Sequence, residues 1–179
     1  MKPILEELDE LIQGCLVDNR NAQEELYKRF YRPLFLLCRR FFPDDRDALE
    51  ALNDGMLKVF RNLSAYQPGK GTFFNWAYTV VRNTALDKLP RQRWFTSVPD
   101  DSIEIAGTNP LEKLEQKDIY VLLDALQPAT RVVCTLFYLE GYSIKEISVR
   151  LGIRDGTVKW HLSETRNKLR EVFKKHYSN

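Results

Sequence analysis

A chain of 179 residues has room for one ordinary domain or two small ones, and a formal net charge of +2 does not by itself mark a nucleic-acid binder. Its three cysteines, Cys15, Cys38 and Cys134, lack metal-ligand spacing and follow no signal peptide, which points to a reduced, cytoplasmic protein. No apolar run approaches the roughly 20 residues of a membrane span, and helical periodicity recurs without strand-type alternation, so the chain is expected to be all-α.

In chain order, a first helix is predicted from about Ile4 to Val17, with Ile4, Leu8, Leu11, Ile12 and Cys15 on one face. Asn21 followed by Glu24 has capping-box spacing and opens a second helix. It carries Leu26, Phe30, Leu34, Leu37, Cys38 and Phe41 inward, and Pro33 is expected to kink or split it. After the turn at Pro43, a third helix runs from about Arg46 to Leu63. Its Leu49, Leu52, Met56, Val59, Phe60 and Leu63 are apolar, while Glu50, Asn53, Asp54 and Lys58 share the exposed face. Gly55 stands out within it, costing about 1 kcal/mol relative to alanine unless something packs closely there. Tyr66 to Gly71 is a turn by composition, and Thr72 caps a fourth helix that runs to Leu89 and is ended by Pro90.

Residues 91–108 lack periodicity and read as a flexible linker, so the expected layout is a domain over 1–90, the linker, and a second domain over 109–179. From Ser97 to Asp118 six acids face two lysines, a net −4. Asn109, Pro110 and Glu112 have the signature of a helix start, and that helix is predicted to reach Leu126. Another starts at Pro128 and ends at Gly141. Ser143 with Glu146 forms a second capping box, Ile144, Ile147 and Leu151 give one buried face, and Gly152 stops the helix in the left-handed conformation. A new helix begins near Asp155 and runs to about Lys174. Together these are two short helices joined by a tight turn, a helix-turn-helix inside a four-helix domain, whose second helix commonly enters a DNA major groove. That second helix is basic: from Thr157 to Lys175 six Lys and Arg face two Glu, a net +4. Val158, Leu162, Thr165, Leu169 and Val172 form its buried stripe. Lys159, Ser163, Arg166 and Arg170 form a stripe suited to the phosphate backbone, and Thr157, Lys159, Trp160 and His161 are the expected groove-facing residues.

These blocks together resemble the bacterial RNA polymerase sigma factors of the sigma-70 family, in the small extracytoplasmic-function group. Asp47 to Phe60 is similar to the polymerase-binding helix of region two. Tyr66 to Gly71 with Thr72 to Tyr78 and Arg82 to Asp87 is similar to its promoter-melting segment, and Leu126 to Leu169 to its region four. Helix-turn-helix motifs alone are common; the three blocks in order are specific. The resemblance implies that Glu50, Asn53, Asp54 and Lys58 dock on the clamp helices of core RNA polymerase. It implies that the Tyr66–Gly71 loop captures a flipped base of the downstream promoter element, with Asn83 close by. It also implies that the C-terminal domain reads the upstream element of promoter DNA, and that an anti-sigma factor is a further partner.

The departures from the family pattern are local. Trp160 and His161 stand where the group more often has serine and arginine, Gly55 replaces a bulkier residue, and Arg154 occupies the usual cap position of the recognition helix. Pro90 interrupts the basic run at the end of the melting helix, leaving Lys88, Arg91 and Arg93.

The residue chemistry of the melting segment agrees with this reading. Tyr66, Phe73, Phe74, Trp76 and Tyr78 lie beside Lys70, Arg82 and Asn83. Aromatic rings offer stacking worth roughly 1–3 kcal/mol per unstacked base, asparagine pairs with a base edge, and Lys and Arg hold the strand's phosphates. Phe73 reads as core, Trp76 serves either the core or the DNA, and Tyr66, Lys70, Arg82, Asn83 and Lys88 are the expected contacts. His161 and His176 have no partners at metal-ligand spacing, and no phosphate loop, nucleophile elbow or cofactor motif is present, so neither an enzyme active site nor a metal or cofactor is expected. A stand-alone helix-turn-helix regulator accounts for the C-terminal motif but leaves the aromatic segment from Tyr66 to Asp87 without a purpose.

Overall fold

The computed structural model describes residues 4–89, 109–112 and 114–177, and the side chains of these except 4–6, 116 and 173–177. Every regular element among them is helical, in two compact units, residues 1–89 and 90–179. The predicted linker, with Pro90, Arg91 and Arg93, lies outside the described residues.

Unit 1 holds α1 (Ile4–Leu16), α2 (Arg20–Phe41), α3 (Asp45–Arg61) and α4 (Phe73–Asp87), with short 3-10 turns at Leu63–Ala65 and Pro68–Lys70. Its core is the apolar stripe of each helix, with Leu26, Leu34 and Phe41 of α2, Leu52 and Met56 of α3, and Phe73 and Val81 of α4 nearly or fully buried. Such stripes form because burying each large side chain contributes about 1.5–3 kcal/mol, which outweighs the entropy of ordering a helix.

Two local expectations for α2 are corrected. Its cap is Asn19, not Asn21: the Asn19 carboxamide oxygen accepts the amides of Asn21 (3.0 Å) and Ala22 (3.2 Å). Both asparagines suit the role, and the left-handed Asp18 (φ 57°) turns the chain so that the first orphan amides face Asn19. Pro33 does not split α2, which continues from Arg20 to Phe41. The ring lies on the exposed side, where water can satisfy the carbonyl that proline leaves without a donor.

The position of Gly55 is explained by α4. A Cβ at Gly55 would lie 3.0 Å from both Cα and Cγ2 of Val81, so α3 and α4 cross with backbone nearly touching backbone. The missing side chain is what lets the two helices pack along each other.

Unit 2 holds α5 (Gln116–Ala125), α6 (Pro128–Cys134), α7 (Ile144–Leu151) and α8 (Asp155–Tyr177). The helix expected from Asn109 is shorter than predicted. Asn109 caps only a turn, its oxygen accepting the Leu111 amide (3.0 Å) while its amide nitrogen donates to the Tyr138 carbonyl (3.0 Å), and regular helix begins at Gln116. At its far end α6 widens into a π turn over Thr135–Leu139, with the Glu140 amide bonded five residues back to Thr135 (3.0 Å). The capping box forms as expected: Ser143 Oγ accepts the Glu146 amide (3.2 Å), and Glu146 Oε2 accepts the Ser143 amide (2.8 Å). The Ser143 hydroxyl, which donates to Glu146 Oε2 (2.6 Å), and then the Ser143 amide lower the Glu146 pKa. Gly152, at φ 69°, ends α7 in the left-handed region and turns the chain into α8.

Arg131 is the largest surprise in this core. It is fully buried, and its guanidinium reaches out to Asp124 at 2.8 Å. Removing Asp124 would strip an ion-pair partner from a buried guanidinium, whereas Asp124 itself is half exposed and open to water.

Candidate nucleic-acid interface

In unit 1 the N-terminal turns of α4 and the loop before it enclose a cleft of about 330 Å³, within the ~300–1,000 Å³ typical of small-ligand sites. Tyr66, Lys70 and Trp76 line it, as do Gln67, Asn75 and Thr79, which the sequence reading did not single out. Local chemistry shapes it. Thr72 Oγ1 accepts the Asn75 amide (3.2 Å) and starts α4, and the Tyr66 hydroxyl donates to the Gly71 carbonyl (3.2 Å), closing the loop on itself.

Three rings stack inward from the cleft. Tyr66 meets Phe73 edge-on (centroids 5.4 Å, 89°) and Trp76 at 5.6 Å, and Phe73 continues to Phe30 at 5.3 Å. Phe73 is 1 % exposed and belongs to the core, while Tyr66 and Trp76 are half-buried and form an aromatic wall. Asn83 and Arg82 do not line the cleft. Asn83 extends the cleft's face of α4, one turn beyond Thr79.

Lys88 stands elsewhere. Its ammonium is held between Glu50 (2.6 Å) and Asp54 (2.5 Å) of α3, so it joins the residues expected to dock on polymerase rather than those expected on DNA. Partial burial pulls its pKa down, but the hydrogen bonds and charges of Asp54 and Glu50 outweigh that and raise it. Glu50, Asn53, Asp54 and Lys58 share one exposed face of α3, where Asn53 accepts the Tyr27 hydroxyl (2.7 Å) and Leu49 and Leu57 are also exposed.

In unit 2, Val158, Leu162, Thr165 and Leu169 bury one stripe of α8. Arg154 is the residue before α8, its carbonyl accepting the Val158 amide (3.1 Å), and Asp155 enters the first turn, where its charge suits the helix N-terminus. Thr157, Lys159, Trp160, Ser163 and Arg166 are half-exposed and Arg170 is exposed. Arg166 Nε donates to the Tyr138 hydroxyl (3.0 Å), which fixes the guanidinium beside α6.

His161 is a correction. It is 4 % exposed and its Nδ1 lies 2.9 Å from Thr130 Oγ1, so it cannot face a groove. Its helical phase puts it at the edge of the buried stripe, a quarter-turn and more from Trp160. Burial pushes its pKa down to about 4. The unfolded chain therefore binds the proton more tightly than the folded one. Full stability holds above the unfolded value near 6.5 and falls as pH drops toward 4, by about 3 kcal/mol. Urea unfolding between pH 7 and pH 4 is expected to show that loss, and His161→Gln to flatten it; an equal pH slope in the variant would assign the loss to other groups.

The cysteines carry no reactivity here. Burial raises the Cys15 pKa and pushes those of Cys38 and Cys134 up to about 12, which keeps all three as thiols. Among the described residues no cluster of His, Cys, Asp and Glu could hold a metal ion, and no helix is long and apolar enough to cross a membrane.

Two family models match the chain: sigma-70 region 2 over residues 26–95 and sigma-70 region 4 over residues 116–169. The chain is 29% identical over 163 residues to the ECF RNA polymerase sigma factor SigE of Mycolicibacterium smegmatis, an alignment that takes in 87% of the chain and 63% of that relative's length. It is 26% identical over 160 residues to the ECF RNA polymerase sigma factor SigM of Mycobacterium tuberculosis, covering 89% of the chain and 81% of the relative. Among solved structures it is similar to the sigma factor RpoE from Bartonella quintana, determined with the anti-sigma factor NepR (19% identity, TM-score 0.47, 84% of this chain and 96% of that one).

Proposed function

The chain belongs to the sigma-70 family of RNA polymerase sigma factors, in the extracytoplasmic-function group, and from that premise we propose that it binds core RNA polymerase and makes transcription initiation promoter-specific. The observation that carries this reading is the aromatic cleft of unit 1 in the same chain as a helix-turn-helix. A stand-alone regulator needs the second and has no use for the first.

In this reading α8 enters the major groove of the upstream element, with Thr157, Trp160 and Ser163 near base edges and Lys159 and Arg170 following phosphates. The cleft takes an unstacked base of the downstream element: Tyr66 and Trp76 stack on it, Asn75 and Gln67 offer amide edges, and Lys70 holds the strand. Stacking of roughly 1–3 kcal/mol per base offsets the few kcal/mol that unpairing costs. Asn83 and Arg82 extend this track along α4. Glu50, Asn53, Asp54 and Lys58 form the polymerase-docking face, with Lys88 bracing its carboxylates. The chain itself catalyses no reaction, acts in the cytoplasm where polymerase and promoter meet, and is held in check by an anti-sigma factor.

The direct test is in vitro transcription with purified core polymerase. Addition of the chain is expected to produce defined start sites; start-site patterns unchanged from core alone would end this reading. A second measurement addresses α8. Lys159→Ala with Arg170→Ala is expected to weaken holoenzyme binding to the promoter duplex and to reduce the slope of log K against log salt by about 2, one per lost phosphate contact. An unchanged slope removes both side chains from the interface.

A further inference from the structure

We propose that Trp160 reads the C5-methyl group of a thymine in the upstream promoter element and so sets this chain's base preference; the inference rests on the sigma-factor reading above. Trp160 is the sixth residue of α8 and lies roughly 170° around the helix from the centre of the buried stripe of Val158, Leu162, Thr165 and Leu169. It therefore lies across the helix from the buried stripe, partly exposed, in the N-terminal turns that reach base edges in a helix-turn-helix. One turn before it on the same side is Gly156 and nearly one turn after it is Ser163, both small residues.

The ring is also held. Trp160 meets His161 edge to face, with centroids 4.9 Å apart and planes at 78°. His161 is in turn buried and bonded to Thr130 of α6. A large apolar side chain has thus been fixed on the groove-facing side of a helix that otherwise presents polar groups.

Base-edge chemistry narrows what such a ring can meet. In the major groove, N7, O6, O4, N6 and N4 are all hydrogen-bonding groups, and an indole face laid on them would strip their water without replacing it. The thymine methyl is the one alkyl group on those edges. Covering it removes apolar surface from both partners, while Lys159 beside it remains available for an acceptor.

The test uses holoenzyme assembled from the full chain and core polymerase. A promoter duplex is first selected from a pool randomised in its upstream element. Each thymine of the selected element is then replaced in turn by deoxyuridine, which deletes only the methyl group, and affinity is read by fluorescence anisotropy. One or two such replacements are expected to weaken the wild-type holoenzyme about fourfold each, the worth of one buried methyl. Trp160→Ala is expected to bind the thymine and deoxyuridine duplexes equally, with Trp160→Phe between the two. The deoxyuridine series on the wild-type chain needs no variant, so a misfolded substitution cannot obscure it. Equal binding of every deoxyuridine duplex by the wild-type holoenzyme overturns the proposal, as does methyl dependence retained in Trp160→Ala; in both cases the sigma reading stands. Failure to enrich any duplex overturns both.

Discussion

Gly55→Val is expected to destabilise unit 1 by about 2–3 kcal/mol, lowering its melting temperature by roughly 8–24 °C, and with it both polymerase docking and promoter melting. The physical reason is the α3–α4 crossing. A Cβ at this position already falls 3.0 Å from the Val81 Cα, which is backbone and cannot rotate away, and the two Cγ atoms of valine would press further into the same helix. Relief requires moving α3 from α4, which loosens Leu52, Met56, Ala77 and Val81, all of them nearly or fully buried. Gly55→Ala sets a gain of about 1 kcal/mol in helix propensity against the same contact and is expected to lose much less. Gly69→Ala, where nothing lies within 4 Å, is the neutral control. Thermal unfolding by circular dichroism checks the series. Val81→Ala is expected to recover part of the Gly55→Val loss, the part due to Val81 Cγ2, and a strictly additive double variant would place the strain elsewhere. A Gly55→Val chain as stable as wild type would mean that the helices are not locked at this crossing.

Tyr66→Ala is expected to reduce open-complex formation about 10–100-fold, the equivalent of one lost base stack, while holoenzyme assembly and closed-promoter binding stay at wild-type levels. Tyr66 does two separable things. Its ring forms the cleft wall with Trp76, and its hydroxyl closes the loop on the Gly71 carbonyl. Tyr66→Phe keeps the wall and loses only the hydroxyl's bond, worth about 1 kcal/mol or some fivefold. Permanganate reactivity of unpaired promoter thymines separates the cases. A half-buried ring contributes modestly to stability, so the Ala variant is expected to melt within a few degrees of wild type. Normal promoter opening by Tyr66→Ala would show that the cleft takes no base. Normal opening with a large fall in melting temperature would show that Tyr66 is a packing residue alone.

Both predictions turn on relations that residue order only hints at. The anomaly at Gly55 is visible in the sequence as a glycine in the middle of a helix, but its partner, Val81, lies on a different helix. Tyr66 and Trp76 are visible as aromatics in a loop and a helix start. That Gln67, Asn75 and Thr79 join them in one cleft follows from how the loop folds back on α4, and short polar residues of that kind carry no motif. Lys88 reads as one more cation in a basic run; its pairing with Glu50 and Asp54 depends on α4 lying along α3. His161 is a different case. Its phase beside the buried stripe was available from helical geometry, and the basic composition around it drew it toward the DNA face.

The sequence by itself determined what is decided within about one helical turn. The helix periodicity, the Ser143–Glu146 box, the Thr72 cap and the left-handed stop at Gly152 all depend on residues four or fewer apart, where chain connectivity already brings the partners together. Only the tertiary structure decided which distant groups meet: Gly55 against Val81, Lys88 between two carboxylates, His161 under Thr130, Arg131 reaching Asp124. Those pairings are selected by how the apolar stripes of separate helices pack, and the cost of leaving a buried charge or amide unmatched then assigns each polar group its partner.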